Sequence, residues 1–229
     1  MIIYGKQASL YALKKHENKI EAIYVTKLSI LPKDLLKKYG SKIKTIENRW
    51  AQKMAKGGNH QGILVEMQEP EIPSIDSVKK SDFILVLDGL TDVGNIGAII
   101  RTAYALGVDA VVATGLRQLN IPAIVRTSSG AALDLPPIVL GNVLDLFNEL
   151  KQLGFSLYGA DLDGTPLQEA IFNKKRVLVM GSEDRGISKR VKLKLDEVYK
   201  IEMKRDFDSL NVNAAAAIFL HRMSYAIKW

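Results

Sequence analysis

The sequence contains no cysteine among its 229 residues. Without thiols the chain can form neither a disulfide nor a cysteine-based zinc site, and its composition suits a reducing cytoplasm. The three histidines, His16, His60 and His221, do not have the spacing of metal ligands. We therefore expect no bound metal.

Long apolar runs are also missing. No stretch approaches the roughly 18 apolar residues of a transmembrane helix, and the N-terminal residues lack the charged-then-apolar order of a signal peptide. We therefore expect a cytoplasmic protein with no membrane partner. With 47% hydrophobic residues, the chain can still bury a core in one large domain or in two small ones.

The excess of positive over negative charge lies entirely in the first third of the chain. Residues 1–70 hold 13 Lys and Arg against 6 Asp and Glu, whereas residues 71–229 hold 19 of each kind. A basic module beside a neutral one suggests that the first holds a polyanion and the second acts on it. A lysine-rich solvated surface is the alternative interpretation.

Residues 1–69 are predicted to form a small α/β domain. Helix and strand patterns alternate here, which is typical of a compact α/β/α unit. The predicted helices cover Lys6 to His16, Pro32 to Gly40 and Asn48 to Met54, and the predicted strands cover Glu21 to Val25, Ile43 to Ile46 and Gly62 to Met67. Residues 70–81 contain two prolines and mixed charges, so we interpret them as a linker.

Residues 82–229 alternate strands and helices in a pattern that predicts a mostly parallel, doubly wound sheet. Phe83 to Asp88 and Val177 to Met180 are apolar runs, expected as strands buried on both faces. Helices are predicted from Ile96 to Leu106, over residues 122–133, and from Asn211 to about Lys228. Because ligands bind at the carboxyl ends of such strands, a site is expected after Gly181.

The first motif in this second domain joins Asn95 to Arg101. Asn95 stands where a residue would cap the helix that follows, and Arg101 lies further along the same helix. The stretch around Arg101, AIIRTAYAL, is apolar, so the guanidinium needs a partner such as Glu183 or an RNA phosphate. A capped helix with a structural salt bridge is the alternative.

Two further motifs place polar residues after a buried strand and before an alanine-rich helix. Gly181 to Gly186, GSEDRG, ends the buried strand and places carboxylates in a turn. Asp208 to Asn213, DSLNVN, puts Ser209 and Asn211 at the start of an alanine-rich helix, where free backbone N–H groups also point outward. Taken singly, each motif is also compatible with an ordinary surface turn or a capped helix.

Together, in this order and spacing, the three motifs resemble the SpoU (TrmH-type) branch of the SPOUT RNA methyltransferases. The likeness covers residues 82–229. The basic module that ends in GGNHQGILVEM is similar to the ribosomal-protein-L30e-like substrate domain of certain members. Within the branch, this arrangement most resembles that of the RlmB-type 23S rRNA guanosine ribose methyltransferases.

The resemblance implies an L30e-like α/β domain followed by an α/β SPOUT domain with a parallel sheet and a C-terminal trefoil knot. It implies S-adenosylmethionine as the cofactor, without a metal, and methyl transfer to the ribose 2′-hydroxyl of a guanosine. The implied partners are 23S rRNA and a second copy of the chain, with neither DNA nor a membrane.

The resemblance also implies site residues, each placed by its motif. The cofactor contacts would be Gly159, Gly181, Ile201, Met203 and Leu210, and the catalytic set would be Asn95, Arg101, Glu183, Ser209 and Asn211. Lys56 and His60, beside two glycines, would join Arg101 in contacting RNA. For Lys56 and His60, a turn without a role in binding is the alternative.

The sequence departs from the family pattern at Lys204 to Phe207, where small residues are common, and at Asn213, where serine is frequent. These departures leave the RNA target open. A tRNA ribose methyltransferase and a non-catalytic ribosome-assembly factor are therefore alternatives. A small-molecule enzyme with a dinucleotide cofactor is a third, but the first strand of the second domain lacks a following G-x-G-x-x-G loop.

Overall fold

The structure is a computed structural model that describes residues 1–228, so Trp229, the last residue of the predicted second domain, lies outside the described residues. The helices are α1 Lys6–Lys15, α2 Lys33–Tyr39, α3 Asn48–Met54, α4 Ile75–Val78, α5 Val93–Ala105, α6 Ile121–Thr127, α7 Leu144–Gln152, α8 Lys189–Lys192 and α9 Val212–Tyr225. The strands are β1 Ile2–Tyr4, β2 Ile20–Val25, β3 Ile43–Thr45, β4 Ile63–Met67, β5 Phe83–Asp88, β6 Ala110–Thr114, β7 Ile138–Leu140, β8 Ser156–Pro166, β9 Phe172–Asn173, β10 Arg176–Gly181, β11 Glu197–Lys200 and β12 Ile227–Lys228.

The chain divides into two compact units. The N-terminal unit combines Met1–Glu71 with Asn120–Asp134, and the C-terminal unit combines Ile72–Leu119 with the chain from Leu135 onward. Residues 120–134, which the sequence pattern assigns to the second domain, therefore group with the N-terminal unit.

The N-terminal unit is built on a four-stranded sheet in the order β1-β4-β2-β3. Helix α6 belongs to this unit because its side chains contact the first strand and the loop before β4. The guanidinium of Arg126 lies 5.9 Å from the centre of the Tyr4 ring, and Arg126 Nε donates to the carbonyl oxygen of Asn59 at 3.2 Å. At the end of the segment, Asp134 accepts from the hydroxyl of Tyr11 and lies 3.3 Å from His16 Nε2.

The C-terminal unit contains a six-stranded parallel sheet in the order β11-β8-β10-β5-β6-β7. The mostly parallel α/β sheet expected from the sequence is confirmed. From β5 the chain moves outward to β7, and it then crosses to the other side of β5 to form β8 and β10. The strand order therefore reverses between β5 and β10, and such a switch point opens a crevice at the carboxyl ends of the strands.

Helix α5 begins earlier than the sequence pattern indicates, and its cap is a different residue. The helix starts at Val93, and Asp92 Oδ1 accepts from the backbone N–H of Asn95 at 2.7 Å. The prediction that Asn95 caps this helix is wrong, because the helix begins two residues before Asn95 and Asp92 is its N-cap. The side chain of Asn95 is consequently available for another contact.

Two other predicted helices are shorter than expected. Helix α6 ends at Thr127 rather than continuing to residue 133, because Ser129 and Gly130 adopt positive φ angles of 55° and 102°. Helix α9 ends at Tyr225, and the residues after it form β12.

The stretch interpreted as a linker is partly ordered into the C-terminal unit. Ser74 Oγ accepts from the backbone N–H of Ser77 at 3.2 Å and so caps helix α4. Val78, at the end of this helix, is buried in the core beneath the sheet, and Ile75 packs against the same core. Within residues 1–228, no helix is both long enough and apolar enough to cross a membrane.

Candidate active site

A cavity of about 580 Å³ opens at the carboxyl ends of β10 and β11, beside residues 160–162 in the middle of β8. We call it the first cavity. Its apolar walls come from Met180, Ile201, Met203, Leu210, Val212 and Phe219. Its polar lining includes Asp161, Glu183, Ser209 and Asn211. The volume and the mixed lining are typical of a small-molecule site.

Gly181 is required by the tight turn that forms one wall of this cavity. After β10 the chain folds back, and the backbone N–H of Gly186 donates to the carbonyl oxygen of Ser182 at 2.9 Å. A Cβ at position 181 would lie 1.9 Å from the carbonyl carbon of Gly186. Only glycine therefore fits at the end of this strand without moving the turn.

Hydrogen bonds connect the three sequence motifs. Glu183 Oε1 accepts from Asn211 Nδ2 at 2.9 Å and from the backbone N–H of Val212 at 3.3 Å. Asn213 Nδ2 donates to Asn95 Oδ1 at 2.6 Å. The second and third motifs thus meet at the start of α9, and the first motif reaches them through the side chain of Asn213.

Arg101 lies on the exposed face of α5. The apolar residues around it, such as Ile99 and Ile100, point into the core and are fully buried. The apolar stretch therefore does not bury Arg101, because the helix places its side chain on the side opposite the core. An exposed guanidinium remains accessible to a phosphate or a ribose.

The predicted cofactor residues fall into two groups. Gly181, Ile201, Met203 and Leu210 line the first cavity, as do the predicted catalytic residues Glu183, Ser209 and Asn211. Gly159 is not among the lining residues. It lies within β8, where a Cβ would come within 2.5 Å of Leu195 Cδ1, so packing beneath the sheet accounts for the glycine.

Lys56 and His60 differ in accessibility. Lys56 is exposed, whereas His60 is only 5% exposed and its Nδ1 accepts from the backbone N–H of Gly62 at 3.0 Å. The neighbouring Gly58 packs against the ring of Tyr4, which leaves no room for a Cβ. The burial of His60 favours a role in holding this turn over a contact with RNA.

One carboxylate of the first cavity is held by an ion-paired lysine. Lys192 Nζ lies 3.0 Å from Asp161 Oδ2 and 2.7 Å from Asp163 Oδ1. The hydrogen bond from Lys192 lowers the pKa of Asp163, and the hydrogen bond to Asp163 raises the pKa of Lys192. Asp161 is thereby fixed at the cavity wall. Within the described chain, no group of three or more His, Asp or Glu side chains is arranged to hold a metal ion.

A second cavity, of about 780 Å³, was not predicted from the sequence. It lies at the carboxyl ends of β5, β6, β7 and β10, and its lining includes Thr91, Thr114, Arg185, Lys189 and Arg190. One available signal was the glycine that follows each of β5, β6 and β7, at positions 89, 115 and 141. Three neighbouring strands that each end in glycine indicate a space at that edge of the sheet.

Comparisons with known proteins agree with this geometry. Residues 82–221 match the SpoU rRNA Methylase family, and residues 2–73 match the family described as RNA 2′-O ribose methyltransferase substrate binding. The chain belongs to the SpoU rRNA methylase family. The description of the second family names RNA 2′-O ribose methyltransferases.

Individual relatives cover most of the chain. The 23S rRNA (guanosine-2′-O-)-methyltransferase RlmB of Yersinia pestis is 30% identical over 96% of this chain and 94% of that protein. The protein of the same name from Photorhabdus laumondii is 31% identical over 96% of this chain and 95% of its own length. An uncharacterized tRNA/rRNA methyltransferase of Archaeoglobus fulgidus is 41% identical, but over 62% of this chain and 64% of that protein.

Solved structures share the fold of this SpoU family chain. The SpoU methyltransferase AviRb from Streptomyces viridochromogenes, solved in complex with AdoMet, has a TM-score of 0.76 at 22% identity, covering 98% of this chain and 89% of AviRb. A putative RNA methyltransferase of the TrmH family from Porphyromonas gingivalis has a TM-score of 0.72 at 26% identity, covering 96% and 88% of the two chains.

Proposed function

We propose that this chain transfers a methyl group from S-adenosylmethionine to the ribose 2′-hydroxyl of a guanosine in 23S rRNA. The observation that carries the proposal is the hydrogen-bonded set Glu183, Asn211, Asn213 and Asn95, which gathers three distant motifs beside the first cavity. The names of the Yersinia pestis and Photorhabdus laumondii relatives, which match almost the whole chain, support the choice of 23S rRNA and guanosine.

The first cavity fits S-adenosylmethionine. The apolar side chains of Ile201, Met203 and Leu210 suit the adenine ring, and the carboxylates of Asp161 and Glu183 suit a ligand that carries sulfonium and ammonium charges. The turn at Gly181 brings backbone groups close to this space. When bound, the cofactor supplies an electrophilic methyl group whose transfer leaves an uncharged thioether.

Arg101 is assigned to the RNA side of the reaction. A guanidinium stays protonated at neutral pH, so it acts as a hydrogen-bond donor and a positive charge rather than as a base. Its exposed position on α5 allows it to bind the 2′-oxygen or a neighbouring phosphate and to stabilise the negative charge that develops on that oxygen.

The remaining polar residues orient the ribose. Ser209 and Asn211 stand at the cavity edge, where their side chains can position a hydroxyl group. Glu183 positions Asn211 through the 2.9 Å hydrogen bond between them. Asn95 acts on the ribose indirectly, because its amide oxygen accepts a hydrogen bond from Asn213 rather than contacting the cavity.

We further propose the division of labour expected from the charge distribution. Residues 1–69 form the L30e-like domain that holds RNA, residues 70–81 lead into the second domain, and residues 82–229 carry the methyltransferase site. The exposed Lys56 and the excess of Lys and Arg in residues 1–70 support this assignment. An rRNA substrate would place the enzyme in the cytoplasm.

A homodimer and a trefoil knot complete the proposal. Helix α9 exposes apolar side chains, with Ile218 42% and Tyr225 73% exposed, which a second copy of the chain would cover. Light scattering that gives the mass of a monomer would contradict the dimer.

The knot would be formed by the segment from Ile201 to Asn211, which lines the first cavity, and an experimental chain trace through this segment tests it.

The experiment that tests the function measures labelled methyl transfer from S-adenosylmethionine to unmodified 23S rRNA and, separately, to unmodified tRNA. Nuclease-resistant dinucleotides then map the labelled ribose. We expect label at a guanosine of 23S rRNA. Label in tRNA would retain the chemistry but replace the target, and the relative named tRNA/rRNA methyltransferase makes tRNA the second candidate. No label, with normal cofactor binding, would favour an assembly factor.

Replacing Glu183 with alanine is expected to lower kcat about 100-fold, because Asn211 and the first turn of α9 lose their shared acceptor. Glu183→Gln keeps an acceptor oxygen and should recover a substantial part of this loss. Single-turnover rates at saturating RNA measure the effect, and the exposed Glu202→Ala serves as the control for removal of a carboxylate near the cavity. A Gln variant as slow as the Ala variant would contradict the positioning role.

A further inference from the structure

The second cavity lies at the point where the strand order of the sheet reverses. The loop after β5 and the loop after β6 approach each other closely, since a Cβ on Gly115 would be 3.2 Å from Gly89 Cα. The loop after β10 closes the other side, and Asp88 Oδ2 accepts from the backbone N–H of Ser188 at 2.8 Å, which holds that loop to the end of β5. The cavity is therefore a crevice enclosed by these loops, at a position where ligands commonly bind in open α/β sheets.

The rim of this cavity carries positive charges that lack local partners. Among residues 1–228, the side chains of Arg185, Lys189 and Arg190 form no ion pair or hydrogen bond. Lys192, on the same short helix as Lys189 and Arg190, is by contrast paired with two carboxylates. Unpaired cations gathered around a crevice favour an anionic ligand.

The acidic residues of the cavity do not cancel this charge. Asp88 and Asp184 also line it, so the three cations leave an excess of one positive charge. Asp88 is only 8% exposed, and its Oδ2 is occupied by the backbone of Ser188. Its carboxylate therefore acts within the fold, whereas Arg185, Lys189 and Arg190 are exposed.

Thr114 places a neutral hydroxyl in this cavity. The residue lines the cavity and is only 4% exposed, and its hydroxyl forms no hydrogen bond with any residue that the structure describes. A ligand oxygen in the cavity can therefore accept a hydrogen bond from it.

The turn at residues 182–186 connects this cavity to the proposed methyl-transfer site. Ser182, Asp184, Arg185 and Gly186 line both cavities, so only one turn of the chain separates them. An RNA strand that presents a ribose to the first cavity can therefore reach the second cavity by passing this turn.

We propose that the second cavity binds a phosphodiester of the RNA strand adjacent to the methylated nucleotide. Arg185, Lys189 and Arg190 hold the phosphate, and the Thr114 hydroxyl donates to one of its oxygens. This inference rests on the proposed function, since it assigns a subsite for the same substrate. The open, cationic rim fits a polymer that passes through rather than an enclosed small molecule.

The test removes two of these cations. Filter binding measures the affinity for a labelled 23S rRNA transcript between 50 and 200 mM KCl. We expect the variant Lys189→Ala/Arg190→Ala to bind about 10-fold more weakly than the unmodified protein, because each lost phosphate contact lowers the affinity a few-fold. The slope of log K against log salt should shrink by about 1.4. In methyl transfer, KM for RNA should rise by a similar factor while kcat stays within about twofold.

The matched control removes the same charge from the opposite edge of the sheet. Lys80 and Lys174 are exposed and precede β5 and β10, far from the carboxyl ends of these strands. The variant Lys80→Ala/Lys174→Ala should bind the transcript within about twofold of the unmodified protein. Equal weakening by both double variants would indicate a general charge effect and would overturn the subsite.

Thr114 allows a test without any change of charge. Thr114→Val should weaken RNA binding about threefold, and Thr114→Ser should restore it, because a single neutral hydrogen bond is removed and returned. If the unmodified protein methylates RNA and the Lys189→Ala/Arg190→Ala variant binds RNA as tightly as it does, the inference is overturned and the function stands. If the double variant binds RNA more weakly but the unmodified protein transfers no methyl group, the inference stands and the function is rejected.

Discussion

Replacing Arg101 with alanine is expected to reduce the rate of methyl transfer about 1,000-fold while leaving the affinity for S-adenosylmethionine within about twofold. Arg101 is exposed on α5 and is absent from the lining of the first cavity, so its loss should not disturb the cofactor walls. Its loss would remove the positive charge that we propose stabilises the 2′-oxygen. Single-turnover methyl transfer with saturating RNA measures the rate, and calorimetry measures cofactor binding.

Two variants sharpen this prediction. Arg101→Lys keeps the charge but loses the planar fork, so we expect it to recover part of the rate, about 10-fold over the alanine variant. Arg117→Ala removes another exposed arginine from the same unit and should change the rate little. Near-normal methyl transfer by Arg101→Ala, with intact cofactor binding, would show that the assignment of Arg101 is wrong.

Replacing Gly181 with alanine is expected to abolish cofactor binding and to destabilise the protein. The added Cβ would overlap the backbone of Gly186, which lies in the same turn and cannot yield without displacing Ile187. Overpacking of this kind costs about 3 kcal/mol, which lowers Tm by roughly 10 °C in a chain of this size. Differential scanning calorimetry and titration with S-adenosylmethionine measure the two effects.

Gly40→Ala is the matched control for this substitution. Gly40 has a right-handed helical backbone and no atom within reach of an added Cβ, so alanine should be neutral or slightly stabilising there. If Gly181→Ala bound the cofactor and melted as the control does, the turn after β10 would not be the rigid wall that the structure indicates.

The strands that build the sheet were predictable from local sequence. β5 and β10 are continuous apolar runs, and the pattern places them within one or two residues of their observed bounds because both faces of these strands are buried. β1 was not predicted, since three residues are too few to show a period. Its position in the sheet depends on pairing with β4, 60 or more residues away.

The error at the start of α5 has a specific cause. Asp92 and Asn95 are both good capping residues, and they stand three positions apart in the sequence. The choice between them depends on where the chain turns out of the loop after β5. That turn is set by the contacts of the loop, which local propensity does not describe.

The sequence by itself determined the chemistry available to this protein: the basic first third, the absence of thiols, and the three motifs that identify the family. Tertiary structure alone decided which of these residues meet. The pairing of Asn95 with Asn213, the burial of His60 and the cationic second cavity were not visible in local patterns. Such contacts join residues far apart in the chain, and they form only where the packing of helices on the sheet brings their backbones together.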